Sequence, residues 1–175
     1  FTILSSCASR QLEEVTFRRT VIPVQELLDA AGKYFKKLMK NRPERIELEI
    51  ESMEAKVIGD VNQLRFLLEN LIDEALTVRE DGVIRLQARK DNEYIRFLFT
   101  DTRREKSVEE LNQLFYPNLA RMTSGEKGEL RGTEYLVCKQ IIRDHDEFAG
   151  RRGCRINAEP AEGGGFTVYF TIPRR

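Results

Sequence analysis

Residue types able to do chemistry are sparse in this chain. It has one histidine, His145, and three cysteines, Cys7, Cys138 and Cys154. A structural zinc site needs about four Cys or His ligands at close spacings, and no CxxC pair is present. Zinc is therefore not expected. The cysteines, odd in number and far apart, read as free thiols of a reducing compartment. Any Ser-His-Asp or Cys-His catalysis would have to run through His145. That residue stands in Arg143-Asp144-His145-Asp146-Glu147, where an expected helix ends. Its acidic neighbours predict a solvated helix end, not a catalytic base.

The elements that would position any site come next. The chain has 175 residues and 20.4 kDa, enough for one domain with a sizeable core. Apolar residues make up 41% and charged residues 33%, which excludes a disordered or collagen-like chain. Lys plus Arg equals Asp plus Glu at 29 each, so a strongly basic nucleic-acid binder is not indicated. No apolar stretch reaches the length of a membrane helix. The sequence starts at Phe1 and reads as a piece of a longer chain, in which an upstream segment would not be seen.

Residues 1–16 read as a helical tail, and Phe17 to Ile22 as short and β-like. Val24, Leu27, Leu28, Ala31, Tyr34, Phe35 and Leu38 recur at helical spacing, predicting a helix over about 23–41 that Pro43 ends. Ile46, Leu48 and Ile50 alternate with Glu47, Glu49 and Glu51, a half-buried strand. A second short strand covers 55–58. Asp60 is an N-cap candidate for a central helix carrying Leu64, Leu67, Leu68, Leu71, Ile72 and Ala75. Residues 83–90 and 93–100 predict a hairpin around Asp91-Asn92. Ser107 and Glu110 form a capping-box pair before a short helix. Residues 117–131, with Pro117, Gly125 and Gly128, read as a charged loop. A helix over about 131–146 and strands at 154–159 and 166–172, joined at Gly163-Gly164-Gly165, complete the order. This predicts an α+β two-layer sandwich: a mixed, mostly antiparallel sheet with helices on one face.

Four segments in this order carry a family likeness. They are Gly59 to Ala75, Phe99-Thr100-Asp101-Thr102 with Leu111 to Pro117 after it, Gly132-Thr133-Glu134-Tyr135 to Ile142, and Gly163-Gly164-Gly165 to Pro173. Together they resemble the ATP-binding domain of sensor histidine kinases, in the GHKL ATPase superfamily. The resemblance covers about residues 17–175 and makes residues 1–16 the end of a preceding dimerisation helix. It implies a cytoplasmic, bacterial two-component signalling protein. The implied partners are a response regulator or the chain's own dimerisation domain, with homodimerisation through the upstream helix, and no nucleic acid or membrane contact.

The resemblance also implies site residues. Asn70 matches the family's first Asn, near the phosphates, and Glu74 stands where a second Asn holds Mg²⁺. Thr77 stands where a Lys would be. A Glu can ligate Mg²⁺, but it adds negative charge beside a triphosphate. Asp101, followed by Thr102, matches the Asp that accepts from the adenine amino group. Arg103 and Glu105 replace the two glycines after it, so side chains occupy ligand space and a left-handed backbone there would be costly. Lys127 and Arg131 are the implied phosphate contacts in the lid loop. Gly132 matches the first glycine of the phosphate-binding turn, and Glu134 replaces the second. A carboxylate there is expected to cap the helix amides itself. Five replacements across three motifs lead to the expectation of a degenerate, pseudokinase-like regulatory module that needs no cofactor. Two alternatives stay open: a divergent domain that still binds Mg-ATP, and a module that binds another small ligand or inhibits a partner.

Overall fold

A computed structural model describes residues 16–117 and 133–175. The elements are β1 Thr20–Pro23, α1 Val24–Met39, β2 Ile46–Ile50, β3 Lys56–Gly59, α2 Val61–Ala75, β4 Gly82–Asp91, β5 Tyr94–Asp101, α3 Val108–Asn112, α4 Glu134–Phe148, β6 Ile156–Pro160 and β7 Phe166–Pro173. Of the expected helical tail over 1–16, residues 1–15 lie outside the described residues, as does most of the expected loop.

Five strands form one sheet in the order β2-β4-β5-β7-β6. β2 runs parallel to β4, and the other pairings are antiparallel. The sandwich expected from sequence is therefore present. What was not anticipated is a separate two-stranded sheet, β1 against β3, that pins the entry of the chain to the start of α2. Alternation along the strands divides the large sheet into two faces. Ile84, Leu86, Phe97, Phe99, Val168 and Phe170 are buried beneath the helices. On the opposite face Arg85 pairs with Glu49 of β2 at 2.9 Å and Arg89 with Glu51, just after β2, at 3.0 Å, an exposed ionic ladder with β4.

The helix ends follow local chemistry. α1 stops at Met39, earlier than periodicity predicts, because Asn41 takes the left-handed conformation at φ 72°. Asp60 caps α2 as expected, its Oδ1 accepting from the N–H groups of Asn62 and Gln63 at 3.0 and 3.2 Å. The Ser107–Glu110 capping box of α3 is complete. The β4–β5 turn sits one residue later than expected, at Asn92-Glu93, since Asp91 pairs with Tyr94.

His145 corrects a sequence expectation. It is fully buried, not solvated. Its Nε2 accepts the Asp60 N–H at 3.1 Å, and Nδ1 lies 2.8 Å from the Ile141 carbonyl. The first bond requires a lone pair on Nε2, so the proton sits on Nδ1 and donates to that carbonyl. Gly59 is needed beside it, since a Cβ there would lie 2.8 Å from the ring. The acidic neighbours read from sequence face away from this side of the helix, which packs against the α2 cap. Replacing His145 by Leu strands the buried Asp60 N–H and is expected to cost about 1–3 kcal/mol, measured as a shift in the urea midpoint. An unchanged midpoint would refute this role.

Cys138 and Cys154 are free and buried. Burial pushes the Cys154 thiol up to about 12 from an ordinary 9.0, with the charge of Asp146 adding to the effect. Burial pushes Cys138 in the same direction. A thiol whose pKa is raised by folding stabilises the fold below its unfolded value, and that contribution is lost as pH rises through the folded value. Stability is therefore expected to fall from about pH 9 towards pH 12, and Cys154→Ser should flatten that limb in urea melts taken across the range.

Candidate functional site

The site expected from sequence lies where β5 ends, beside the C-terminal part of α2. Asp101 is the last residue of β5 and is 1% exposed. Its partner was not foreseen. Arg103, two residues on, folds back over it with a side chain only 1% exposed. Nε of Arg103 donates to Asp101 Oδ1 at 2.9 Å and Nη2 donates to Oδ2 at 3.0 Å, a bidentate pair. The Arg103 backbone N–H also donates to Oδ1, at 3.0 Å. The remaining donors reach the end of α2 and the loop after it: Nη1 to the carbonyls of Val78 and Glu80 at 2.9 and 3.0 Å, and Nη2 to that of Ala75 at 2.6 Å. Every N–H of the guanidinium has an acceptor.

This arrangement does two things. It ties the end of α2 and the loop after it to β5, adding to the Val78 N–H that the Ala75 carbonyl already accepts at 3.3 Å. It also occupies most of the acceptor capacity of Asp101: Oδ1 takes two donors and Oδ2 takes one, three of about four sites, with Arg104 Nε at 3.7 Å from Oδ2. The backbone is built around the guanidinium arm. Gly82 sits at φ 145°, and a Cβ there would lie 2.5 Å from Arg103 Cγ. On the other side Gly165, at φ 86°, presses on β5 so closely that a Cβ would lie 2.1 Å from the Asp101 carbonyl oxygen. The strain expected at Arg103 and Glu105 does not arise, because among described non-glycine residues only Asn41 and Asn92 have positive φ. Glu105 is exposed.

The other expected residues take mostly local roles. Thr102 Oγ1 donates to the Val83 carbonyl at 2.6 Å. Asn70 is buried, and its amide nitrogen donates to the Phe66 carbonyl one turn back at 2.8 Å. Glu74 is half-buried, and its charge acts with burial to push the Tyr135 hydroxyl above its ordinary pKa. Burial is the larger cause; Tyr135 packs edge-on against Phe115. Thr77 is exposed and bonds its own helix end through the Glu74 carbonyl. Glu134 does not form the cap expected of it. It is the first residue of α4, the Thr133 N-cap makes no side-chain bond, and Glu134 Oε2 is buried without a hydrogen-bond partner. Lys127, Arg131 and Gly132 lie outside the described residues.

The structure thus brings Asn70, Glu74, Asp101 and Tyr135 to one region, with a guanidinium already seated on the carboxylate. Sequence reasoning saw Arg103 only as an obstruction. The available signal was an opposite charge two residues after a strand-ending Asp, which a turn returns onto the carboxylate. No metal-holding group of three or more His, Cys, Asp or Glu occurs among the described residues. Asn70 and Glu74 supply carboxamide and carboxylate oxygen of the kind Mg²⁺ accepts. They are one helical turn apart on α2 and could hold the ion only with water or ligand oxygens completing its shell.

Solved structures of low identity share this fold. The catalytic domain of histidine kinase ThkA in nucleotide-free form is 21% identical with a TM-score of 0.69, over 90% of this chain and 97% of that one. A mycobacterial sensor histidine kinase, MprB, is 19% identical with a TM-score of 0.68, over 90% and 98%. ThkA in complex with the response regulator protein TrrA is 19% identical with a TM-score of 0.68, over 99% of this chain and 50% of that one. Comparison with curated proteins gives no match. The profile of the histidine kinase-, DNA gyrase B-, and HSP90-like ATPases matches residues 59–175, from the end of β3 to the last residue, and the chain belongs to that family.

Proposed function

We propose that this domain is the ATPase-like module of a sensor histidine kinase-related signalling protein that has lost productive nucleotide binding and acts through protein contacts. One observation carries the reading: the carboxylate that the resemblance assigns to adenine is already held on both oxygens by Arg103. A nucleotide that took this carboxylate would have to displace the bidentate guanidinium and separate a buried ion pair, which costs several kcal/mol. Glu74 in place of a carboxamide and Glu134 at the start of α4 add negative charge where phosphates would lie. The proposed partners are a response regulator or the protein's own dimerisation domain, in a bacterial cytoplasm. The neighbour ThkA, which forms a complex with a response regulator protein, supports that class of partner.

Titration of Mg-ATP and ADP into the purified domain tests this. The expected result is no binding heat and no rise in Tm at millimolar nucleotide. A ligand present at 100 times its Kd would add about 2.7 kcal/mol of stability, which a melt detects easily. Micromolar binding would overturn the reading in favour of a divergent working Mg-ATP site. Asp101→Asn would then be expected to abolish that binding.

A further inference from the structure

The slot that Arg103 fills has its own ligand chemistry. Its polar lining is built from acceptors: both carboxylate oxygens of Asp101 and the backbone carbonyls of Ala75, Val78 and Glu80. The nearby donors are the Arg103 backbone N–H, which already bonds Asp101 Oδ1 at 3.0 Å, and Arg104 Nε, 3.7 Å from Oδ2. Such a lining suits a planar cation that only donates. A guanidinium meets that requirement with five N–H groups and no acceptor. An aminopurine does not. Its amino group can donate, but its ring nitrogens are acceptors and would face carbonyl oxygens with no proton between them. Gly82 independently shows that the wall is shaped to a side-chain arm, because a Cβ there would collide with Arg103 Cγ.

We propose that this slot is a guanidinium-recognition site, occupied internally by Arg103, which selects guanidinium- and amidinium-class cations over purines when emptied. The proposal deepens the preceding reading and shares its premise that Arg103 is the resident occupant of Asp101. It replaces simple blockage with a change of ligand class: the carboxylate is kept, and the carbonyls around it now recognise a donor-only cation.

The test uses Arg103→Ala in the full chain, with methylguanidinium as the probe and sodium chloride, urea and adenosine as comparison solutes. Millimolar methylguanidinium is expected to raise the Tm of the variant but not of the unaltered chain. By calorimetry it should bind the variant at least about tenfold more tightly than adenosine does, a gap of about 1.4 kcal/mol. No rise in Tm, an equal response from urea, or adenosine binding as tightly would each overturn the proposal. Should the variant not fold, nitrogen-resolved NMR of the unaltered chain decides. Separate, slowly exchanging Nη–H signals for Arg103 are expected, and one averaged, fast-exchanging signal would overturn the proposal. Failure of the parent reading is seen elsewhere, as Mg-ATP binding to the unaltered chain, so the two failures are distinguishable.

Discussion

Replacing Arg103 by alanine is expected to destabilise the domain by about 3–5 kcal/mol, because it leaves a buried carboxylate without its bidentate partner and with only Arg104 nearby, at 3.7 Å. For a domain of this size that corresponds to a fall in Tm of about 6–20 °C. Three contributions combine. Asp101, 1% exposed, loses a bidentate partner. The carbonyls of Val78 and Glu80 lose the Arg103 donor, and that of Ala75 keeps only the Val78 N–H. The arm that packs against Gly82 leaves a void. The pair as a whole need not contribute that much, since removing both charges spares the cost of an isolated buried ion. Asp101→Leu combined with Arg103→Leu should therefore cost clearly less than the sum of the single variants. A double-mutant cycle in urea measures the coupling. Additive costs would show that the two side chains do not act as a pair, and the functional reading would lose its support.

The second large effect lies in the core beneath the same strand. Phe97 of β5 and Phe170 of β7 are register partners. Their rings stack with centroids 4.8 Å apart and planes 8° from parallel. Both are essentially inaccessible to solvent. Phe97→Ala is expected to cost about 3–5 kcal/mol through lost burial and the cavity left between sheet and helices. The urea midpoint should drop while the slope of the transition holds, since the surface exposed on unfolding hardly changes. A cost below about 1 kcal/mol would mean that the sheet collapses onto the void, contrary to the close packing of protein interiors. This variant also serves as a control. It weakens the fold without touching Asp101, so any ligand response that appears with Arg103→Ala but not here belongs to the slot.

What the sequence determined by itself is local in origin. Asp60 caps α2, and Ser107 with Glu110 caps α3, because each needs only backbone groups within three residues. The alternation in β2, β4 and β5 told which face each residue takes, because a strand's side chains point to opposite faces in turn. The order of elements was enough to predict a two-layer sandwich, and the four matched segments to identify the family. Only the tertiary structure decided the rest. The acidic residues around His145 suggested a wet helix end, yet the ring is buried because an amide 85 positions away needs its lone pair. The pairing of β1 with β3 joins residues 33 to 39 positions apart, which no local pattern encodes. The role of Arg103 depends on carbonyls 23 to 28 residues upstream, brought to it by the turn of α2 into β4. From sequence a charged side chain in place of glycine means only lost space. In the fold the same charge meets a buried carboxylate and a ring of carbonyl oxygens, and desolvation makes that meeting strong enough to set what the site can hold.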